Sequence, residues 1–592
     1  MSFEFWFTLL LFIVLTIVLI KEIVKPEIAI FSTLILLVVG NVVTVKEAFS
    51  GFSNEGMLTI ALLFVVAGSF QTTGVLDRFN KILYGNPSKS ITKKLIRILS
   101  PLTVMSAFLN NTPLVAMAIP SLRSWSEKHN LSVSKFLIPV SYAAILGGMC
   151  TLIGTSTNLI VHGLLIENNI PGFSFFELSF VGIPAAIIGL IYIFFIGHKL
   201  LPERKPPLEQ LGKSFREFVS ELKVTEVYIN IGKNIEEAGL RHLKGLYLFQ
   251  IERNGKIMNP AKPDDRIQLG DRLFFTGIPK TILELQRTPG LQLINDSSFD
   301  LKNYDSDKIK TYEAVISFSS SFAGKRVKES NFRDKYDGVI LAIHRNGERI
   351  RKKIGDVILR PGDTLLLLAD KNFKKRWYYS TEFSLISNAE EIQSKPKWQA
   401  NLSIIIFAAM LILAVFNILP LISAMGIAAV ILVLSKSITG ESVINAVDWK
   451  VLLIIASSFG IALAMENSGV GEFFAAGIIN LFLPLGVMGV LTAIYIMTTI
   501  YTNFITNNTA AVLMFPIALS VATYLNVNVH PFAIAIALGA SSSFATPISY
   551  QTNLMVYGPG GYKYRDFLRI GLPLQFIVGV ISIVLIYLAY FS

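Results

Sequence analysis

A short polar pattern occurs twice inside otherwise apolar sequence, and it limits the folds open to this chain. Asn110-Asn111-Thr112 lies in SAFLNNTPLVAMAIP, and Asn507-Asn508-Thr509 lies in TNFITNNTAAVLMFPI. Each is followed by a second polar break: Thr157-Asn158-Leu159 in GTSTNLIVHG, and Thr552-Asn553-Leu554 in SYQTNLMVYG. The NNT triplets are 397 residues apart and the TNL triplets 395. Backbone that leaves regular helix at bilayer depth is tolerated only where protein covers it or it lines a cavity. Matching interruptions in two halves of a chain point to a transporter's midplane site. The chain therefore reads as a polytopic α-helical membrane protein and a secondary transporter.

Hydrophobic residues make up 52% of the 592 and charged residues 16%, a membrane-protein balance. Residues 199–399 carry most of the charge, while 1–198 and 401–592 are apolar with short polar breaks. The formal charge of +12 thus calls for no nucleic-acid partner, because Lys and Arg also orient membrane proteins. Cys150 is the single cysteine, which excludes an intrachain disulfide and a cysteine metal cluster. The first apolar run, 5–20, lacks the basic start and small-residue cleavage site of a signal peptide and reads as a transmembrane helix.

A hydrocarbon core about 30 Å thick takes about 20 apolar residues per helix. The first half, 1–198, then holds helices near 3–20, 27–44 and 57–76, and a linker at 77–99. Interrupted stretches follow at 100–122 and 136–168, with a last helix at 178–198. The second half, 400–592, repeats the order with helices at 401–418, 420–436 and 450–468 and a short amphipathic stretch at 470–486. Its interrupted stretches are 488–520 and 531–557, and its last helix is 573–591.

The NNT stretches are expected to be re-entrant hairpins and the TNL stretches single crossings broken midway. Each half then crosses an odd number of times, giving two inverted-topology repeats. Loops placed inside by this reading hold Lys21, Lys25, Arg78, Lys81, Lys89, Lys93, Lys94, Arg97, Lys436, Lys450, Lys563, Arg565 and Arg569, and those placed outside hold Lys46 alone. Both termini are expected outside and residues 199–399 in the cytoplasm. The alternative is ordinary helices with Asn and Thr as interhelical glue. It suits one isolated Asn better than two Asn and a Thr, followed by Pro120 or Pro516, twice in register.

Residues 232–277 and 324–369 also repeat. Gly232-Lys233, Arg253-Asn254-Gly255 and Gly270-Asp271 recur 92 residues later as Gly324-Lys325, Arg345-Asn346-Gly347 and Gly362-Asp363. Each unit has an alternating apolar strand before an RNG turn and another strand after a Gly-Asp turn, and Asn-Gly between apolar runs signals a hairpin. Two small soluble α+β domains are expected, at 217–283 and 310–373. They resemble TrkA-C (RCK C-terminal) domains in the Gly-Lys start and the Pro-Gly-Asp-x-Leu turn. The resemblance implies a ligand-sensing or dimerising unit that binds an unidentified small-molecule regulator; a structural cytoplasmic cap is the other reading. No GxGxxG or GxxxxGK[ST] motif is present, which excludes the usual dinucleotide and NTP loops.

Across both membrane halves the chain resembles the divalent anion/sodium symporter (DASS) family, in the branch carrying two inserted TrkA-C domains. That family has a Ser-Asn-Thr motif at each hairpin tip and a helix break after it. The resemblance implies sodium-coupled symport of a divalent oxyanion by elevator-type alternating access, in a homodimer in the cell (plasma or inner) membrane and its lipid. By resemblance one Na⁺ lies between Ser106, Asn110, Asn111 and Gly154, and another between Asn503, Asn508 and Ser549, with Asn507 in the same tip. The oxyanion faces Asn111, Thr112 and Thr155 from one half and Asn508, Thr509 and Tyr550 from the other.

The residue chemistry agrees. Na⁺ suits carbonyl, hydroxyl and amide oxygens, and Asn offers both an acceptor and two donors. Half-helix N-termini present N–H groups to an anion. Two departures from the family pattern matter: Asn stands for Ser at 110 and 507, and Ser156-Thr157 and Gln551-Thr552 stand for a Pro-Pro pair. A bulkier, more polar site suits compact sulfate before a dicarboxylate. A proton-driven antiporter would need an intramembrane carboxylate, and neither hairpin nor broken helix has one at its middle. An enzyme is disfavoured by the lack of HExxH, GxSxG or CxxC. A sodium/proton or other ion antiporter of the same superfamily and a non-transporting membrane anion sensor are the alternatives.

Overall fold

Apolar runs with polar or proline starts set the membrane helices. In the computed structural model the first half forms α1 (Phe3–Ile20), α2 (Pro26–Val39), α3 (Glu55–Thr72), α4 (Ile91–Ser106), α5 (Asn111–Lys128), α6 (Leu137–Gly148), α7 (Ser156–Glu167) and α8 (Ser179–Tyr192). The structure describes residues 2–592 except 22, 76–89, 130, 205–218, 241–242, 244–245, 255, 259–260, 263, 278–287, 295–308, 318–319, 337, 346–347, 351–353, 378–381, 388–396, 417 and 548. Ser2 caps α1 by accepting from the Phe5 N–H, and α2 opens on Pro26, where a missing N–H costs nothing. The second half repeats the series as α9 (Lys397–Val415), α10 (Leu421–Leu434), α11 (Trp449–Asn467), α12 (Val470–Phe482), α13 (Gly486–Phe504), α14 (Asn507–Leu525), α15 (His530–Ser541), α16 (Gln551–Tyr557) and α17 (Tyr564–Tyr590). Eight helical segments among the described residues are long and apolar enough to cross a membrane.

Two helix starts lie earlier than apolar length alone suggests. Helix α4 begins at Ile91 because its first turns are amphipathic: Leu95, Ile98 and Leu99 are buried while Lys93 and Arg97 are exposed. Helix α17 begins at Tyr564, where Asp566 accepts from the Lys563 N–H at 2.7 Å and closes the first turn. Residues 76–89 of the expected linker lie outside the described residues.

The halves interlock. Helix α7 packs on α14 and α15, and its counterpart α16 packs on α5 and α6. Every residue of α6 is buried, which is why it reads as apolar all round rather than as an amphipathic stripe. Helices α8 and α17 lie side by side in opposite directions. Arg204, just past α8, pairs with Asp566 at the start of α17 at 2.8 Å, while Tyr590 at the end of α17 donates to Glu177 just before α8 at 3.0 Å.

Between the halves stand two five-stranded sheets. The first comprises β1 (Val219–Val224), β2 (Leu246–Arg253), β3 (Lys256–Met258), β4 (Arg272–Gly277) and β5 (Leu291–Leu293), in the order β3-β2-β4-β1-β5. The second comprises β6 (Ile309–Ile316), β7 (Gly338–Arg345), β8 (Glu348–Arg349), β9 (Thr364–Asp370) and β10 (Phe383–Ser387), in the order β8-β7-β9-β6-β10. The two orders are equivalent, and all described pairings are antiparallel. Arg253 reaches Asp271 at 2.7 Å and Arg345 reaches Asp363 at 2.7 Å, so the Arg of each RNG turn is locked to the Asp of the following Gly-Asp turn. Gly255, Asn346 and Gly347 of those turns lie outside the described residues. The fifth strands lie in stretches read from the sequence as linkers, because LQL and FSLIS are too short to carry a visible alternation.

Candidate functional site

Each half presents two interruptions at the same place: the turn between the two arms of its hairpin, and the break between α6 and α7 or α15 and α16. A polar residue holds each turn. Asn110 accepts from the Thr112 N–H at 3.4 Å, and Thr506 accepts from the Thr509 N–H at 3.4 Å. Ser106 Oγ lies 2.8 Å from the Ala144 carbonyl, and Thr502 Oγ1 lies 2.8 Å from the Ala540 carbonyl. The acceptors Asn110 and Thr506, and both members of the Ser106–Ala144 and Thr502–Ala540 pairs, are 396 residues apart, one fewer than the NNT triplets. In hydrogen-bond register, Asn507 therefore stands where Asn111 stands, Asn508 where Thr112 stands, and Thr502 where Ser106 stands.

The breaks are held by the asparagines of the TNL triplets. Asn158 Nδ2 donates to the carbonyls of Gly148 and Thr151 at 3.1 and 2.8 Å, and Asn553 Nδ2 donates to those of Ser543 and Thr546 at 2.7 and 3.1 Å. Both asparagines are fully buried, so each amide ties together two carbonyls at the helix break; the Thr151 carbonyl also accepts from the Gly154 N–H and the Thr546 carbonyl from Ser549 Oγ, each at 3.3 Å. A glycine of the last helix in each half lies against the break. A Cβ on Gly182 would stand 2.4 Å from the Met149 carbonyl, and one on Gly571 would stand 2.1 Å from the Phe544 carbonyl.

The tips and breaks of opposite halves meet. Asn111 Nδ2 donates to the Tyr550 hydroxyl at 2.6 Å, and that hydroxyl lies 3.3 Å from Thr155 Oγ1. Ser106 Oγ lies 2.6 Å from Asn111 Oδ1. Thr112 Oγ1 donates to Gln551 Oε1 at 3.3 Å, and in the mirrored position Ser156 Oγ and Thr157 Oγ1 donate to Asn508 Oδ1 at 3.0 and 3.1 Å. Asn507 Nδ2 donates to Thr157 Oγ1 at 3.0 Å. Thr155 and Tyr550 precede α7 and α16 in extended conformation and so stand at equivalent points.

Ser106, Asn111, Thr155 and Tyr550 thus form one hydrogen-bonded set, which Asn507 joins at Tyr550 and extends through Thr157 to Asn508, while Thr112 pairs separately with Gln551. Gly154 packs against Gly148, where a Cβ would lie 2.5 Å from the Gly148 carbonyl. Thr509 turns to Thr506 at 2.8 Å, and Ser549 turns to Thr546 at 2.7 Å. Asn503 donates to the Thr499 carbonyl of its own helix at 2.7 Å, while its Oδ1 is buried with no hydrogen-bond partner. That orphaned acceptor, with the Thr502 and Ser543 hydroxyls 2.9 Å apart nearby in the same half, is chemistry that fits a hard monovalent cation. Sequence reading did not single out Thr502 or Thr506, and it gave no individual role to Asn158 or Asn553. The TNL repeat marked the last two, but their action on carbonyls seven and ten residues earlier needs the folded break.

A family model described as citrate transporter (CitMHS) matches residues 11–539 and 496–592. The chain belongs to the citrate transporter family. Among relatives, it is 36% identical over 582 residues to a Chlamydomonas reinhardtii protein named as a regulator of the sulfur deprivation response, with 95% of this chain and 98% of that one covered. It is 32% identical to an uncharacterized transporter of Synechocystis, with 95% and 93% covered. It is 25% identical to Sodium/sulfate cotransporter 1 of Chlamydomonas reinhardtii, with 98% and 89% covered. Membership of the citrate transporter family, together with the apolar helices, makes the chain a multi-pass membrane transporter.

Proposed function

We propose that this protein carries a divalent oxyanion, sulfate before dicarboxylates, across the cell membrane together with sodium. The observation that carries this reading is the meeting of both hairpin tips with the opposite breaks through neutral oxygen and amide groups. Such a set can ligate Na⁺ through carbonyl, hydroxyl and amide oxygens and meet an anion with Asn and Thr donors. The anion's charge is then balanced by bound sodium and by the starts of the flanking helices. Ser106, Asn110, Asn111, Gly154, Asn503, Asn507, Asn508 and Ser549 are the sodium candidates, with the Thr502 and Ser543 hydroxyls beside Asn503. Asn111, Thr112, Thr155, Asn508, Thr509 and Tyr550 are the anion candidates. Relatives named as sodium/sulfate cotransporters across almost the whole chain support sodium and sulfate. A 205-residue match to a Staphylococcus aureus sodium-dependent dicarboxylate transporter supports the wider anion class.

The hairpins are read as re-entrant and the hairpins and broken helices as an elevator body, with the two sheets as cytoplasmic TrkA-C-type regulatory units. The decisive experiment is uptake of labelled sulfate, succinate, citrate and phosphate into proteoliposomes, each with Na⁺ against choline. Sodium-dependent uptake of sulfate above the others is expected. Uptake that ignores sodium and follows an imposed pH gradient overturns the coupling. The relative named for a sulfur response favours one second reading, an anion sensor; saturable sulfate binding with no uptake by folded protein would select it.

A further inference from the structure

The two soluble domains are built alike, so each serves as a control for the other. In the first domain, buried Glu221 of β1 pairs with Arg272 of the neighbouring β4. The equivalent glutamate, 92 residues on, is Glu313 of β6, and it is also buried. Thr364 stands where Arg272 would be, so the second domain offers Glu313 no such partner from β9. Glu313 instead pairs with Arg123 of the membrane half, with side chains only 3% and 10% exposed.

Strand alternation shows that a whole face follows this pair. Tyr312, Ala314 and Ile316 of β6 point into the domain's own core, whereas Val315 is buried among the membrane helices. Thr364 abuts α16, since a Cβ on Gly558 would stand 1.9 Å from Thr364 Oγ1. Strand β10 rests against both α5 and α16. Arg123 lies twelve residues after Asn111, about 18 Å along α5. The near ends of α5 and α16 meet through Asn111–Tyr550 and Thr112–Gln551. Their far ends meet through the second soluble domain, which closes a ring behind the site.

We propose that Arg123 and Glu313 are positioning residues that join the second soluble domain to α5 and α16 as one body, so that this domain sets the hairpin tip and travels with it during transport. The proposal rests on the sodium–anion reading above. A domain that merely capped a fixed scaffold would need no buried charge pair with a hairpin arm. Removing one partner strands a buried charge and frees the far end of α5.

The test uses full-length protein and two readouts. The first is disulfide formation in the Thr364→Cys/Gly558→Cys double variant, with the parent, which retains buried Cys150, as control. Cross-linking is expected to be near complete, and to fall at least fivefold when Arg123→Gln or Glu313→Gln is added. The second is sodium-driven sulfate uptake. Cross-linked protein should transport within twofold of its reduced form. Arg123→Gln and Glu313→Gln should each weaken apparent sodium and anion affinity at least threefold, with Arg123→Lys restoring both to within twofold of the parent. Arg272→Thr, which breaks the matching pair of the first domain, should leave both affinities unchanged. Transport abolished by the cross-link and recovered on reduction overturns the proposal, because the domain then has to leave. Unchanged affinities in both Gln variants overturn it as well. If the parent takes up none of the anions, the transport reading fails on its own, while the cross-link yields still decide whether the pair holds the domain in place.

Discussion

The Tyr550 hydroxyl receives the Asn111 amide and touches Thr155, so one oxygen joins a hairpin tip to both breaks. Sodium and anion candidates share residues here, which makes their affinities inseparable. Asn111→Ala and Asn508→Ala each remove a group offered to both. Losing an interaction with a charged partner costs about 1.5–3 kcal/mol, roughly tenfold to over a hundredfold in affinity. Reciprocal linkage requires sodium and anion affinities to fall together. Folded variants with parental dependence on both ions would refute the assignment. Asn158 and Asn553 have a different task, since their amides end on backbone carbonyls within their own half. Asn158→Ala takes the amide donor from the Gly148 carbonyl and Asn553→Ala takes it from the Ser543 carbonyl, while the Thr151 and Thr546 carbonyls keep the Gly154 N–H and Ser549 hydroxyl, so each variant costs about 1–3 kcal/mol for its orphaned group. Thermal unfolding of the detergent-solubilised protein should shift down for either variant, and an unchanged midpoint would show that water or relaxation replaces the latch.

At the scale of elements, helix spans and both duplications were legible, because apolar length and fixed offsets are sequence properties. Register was less so. The repeated letters NNT suggest an offset of 397, yet Thr506 rather than Asn507 caps α14, and the turn acceptors and the Ser106 and Thr502 hydroxyl bonds follow 396. A threonine and an asparagine can both cap, so identical triplets need not occupy identical positions. The partner of Glu313 was also illegible, since an ion pair across 190 residues leaves no periodic trace. Nor does the sequence mark Glu382, at the start of the last strand of the second domain. Burial opposes its charged form, but the Ser321 hydroxyl and N–H, Lys335 and Ser320 outweigh that and hold its pKa at about 2. A depressed carboxylate contributes stability that is whole above its unfolded value of 4.5 and is lost as pH falls toward 2. Thermal stability should therefore drop across that window. Glu382→Gln should lower stability at pH 7 and flatten the acid limb. A variant whose acid limb matches the parent's would assign that limb to other carboxylates.

For the whole molecule, the ends of the bundle carry opposite chemistry. At one end, Arg204 pairs with Asp566, Lys135 donates to the Leu201 carbonyl at 2.6 Å, and the soluble domains attach. At the other, Glu177 accepts from Tyr590 at 3.0 Å and lies 2.7 Å from His530 Nδ1, near the last residue of the chain. Equivalent helices α6 and α15 start at opposite ends, just after Lys135 and at His530 respectively, as do α8 and α17. The amino terminus belongs with the second end, because Phe5 stacks edge-on against Phe473 beside the turn at Gly469. Basic residues cluster at the first end, and the excess of Lys and Arg marks the cytoplasmic side. The termini should therefore face outward. Ser2→Cys and Ser592→Cys, both at exposed positions, should react with an impermeant maleimide in intact cells, with buried Cys150 silent. Lys262→Cys, exposed on the first soluble domain, should react only after permeabilisation. The reverse pattern would invert the orientation, and labelling of one terminus alone would mean that the two halves do not cross the membrane in opposite senses.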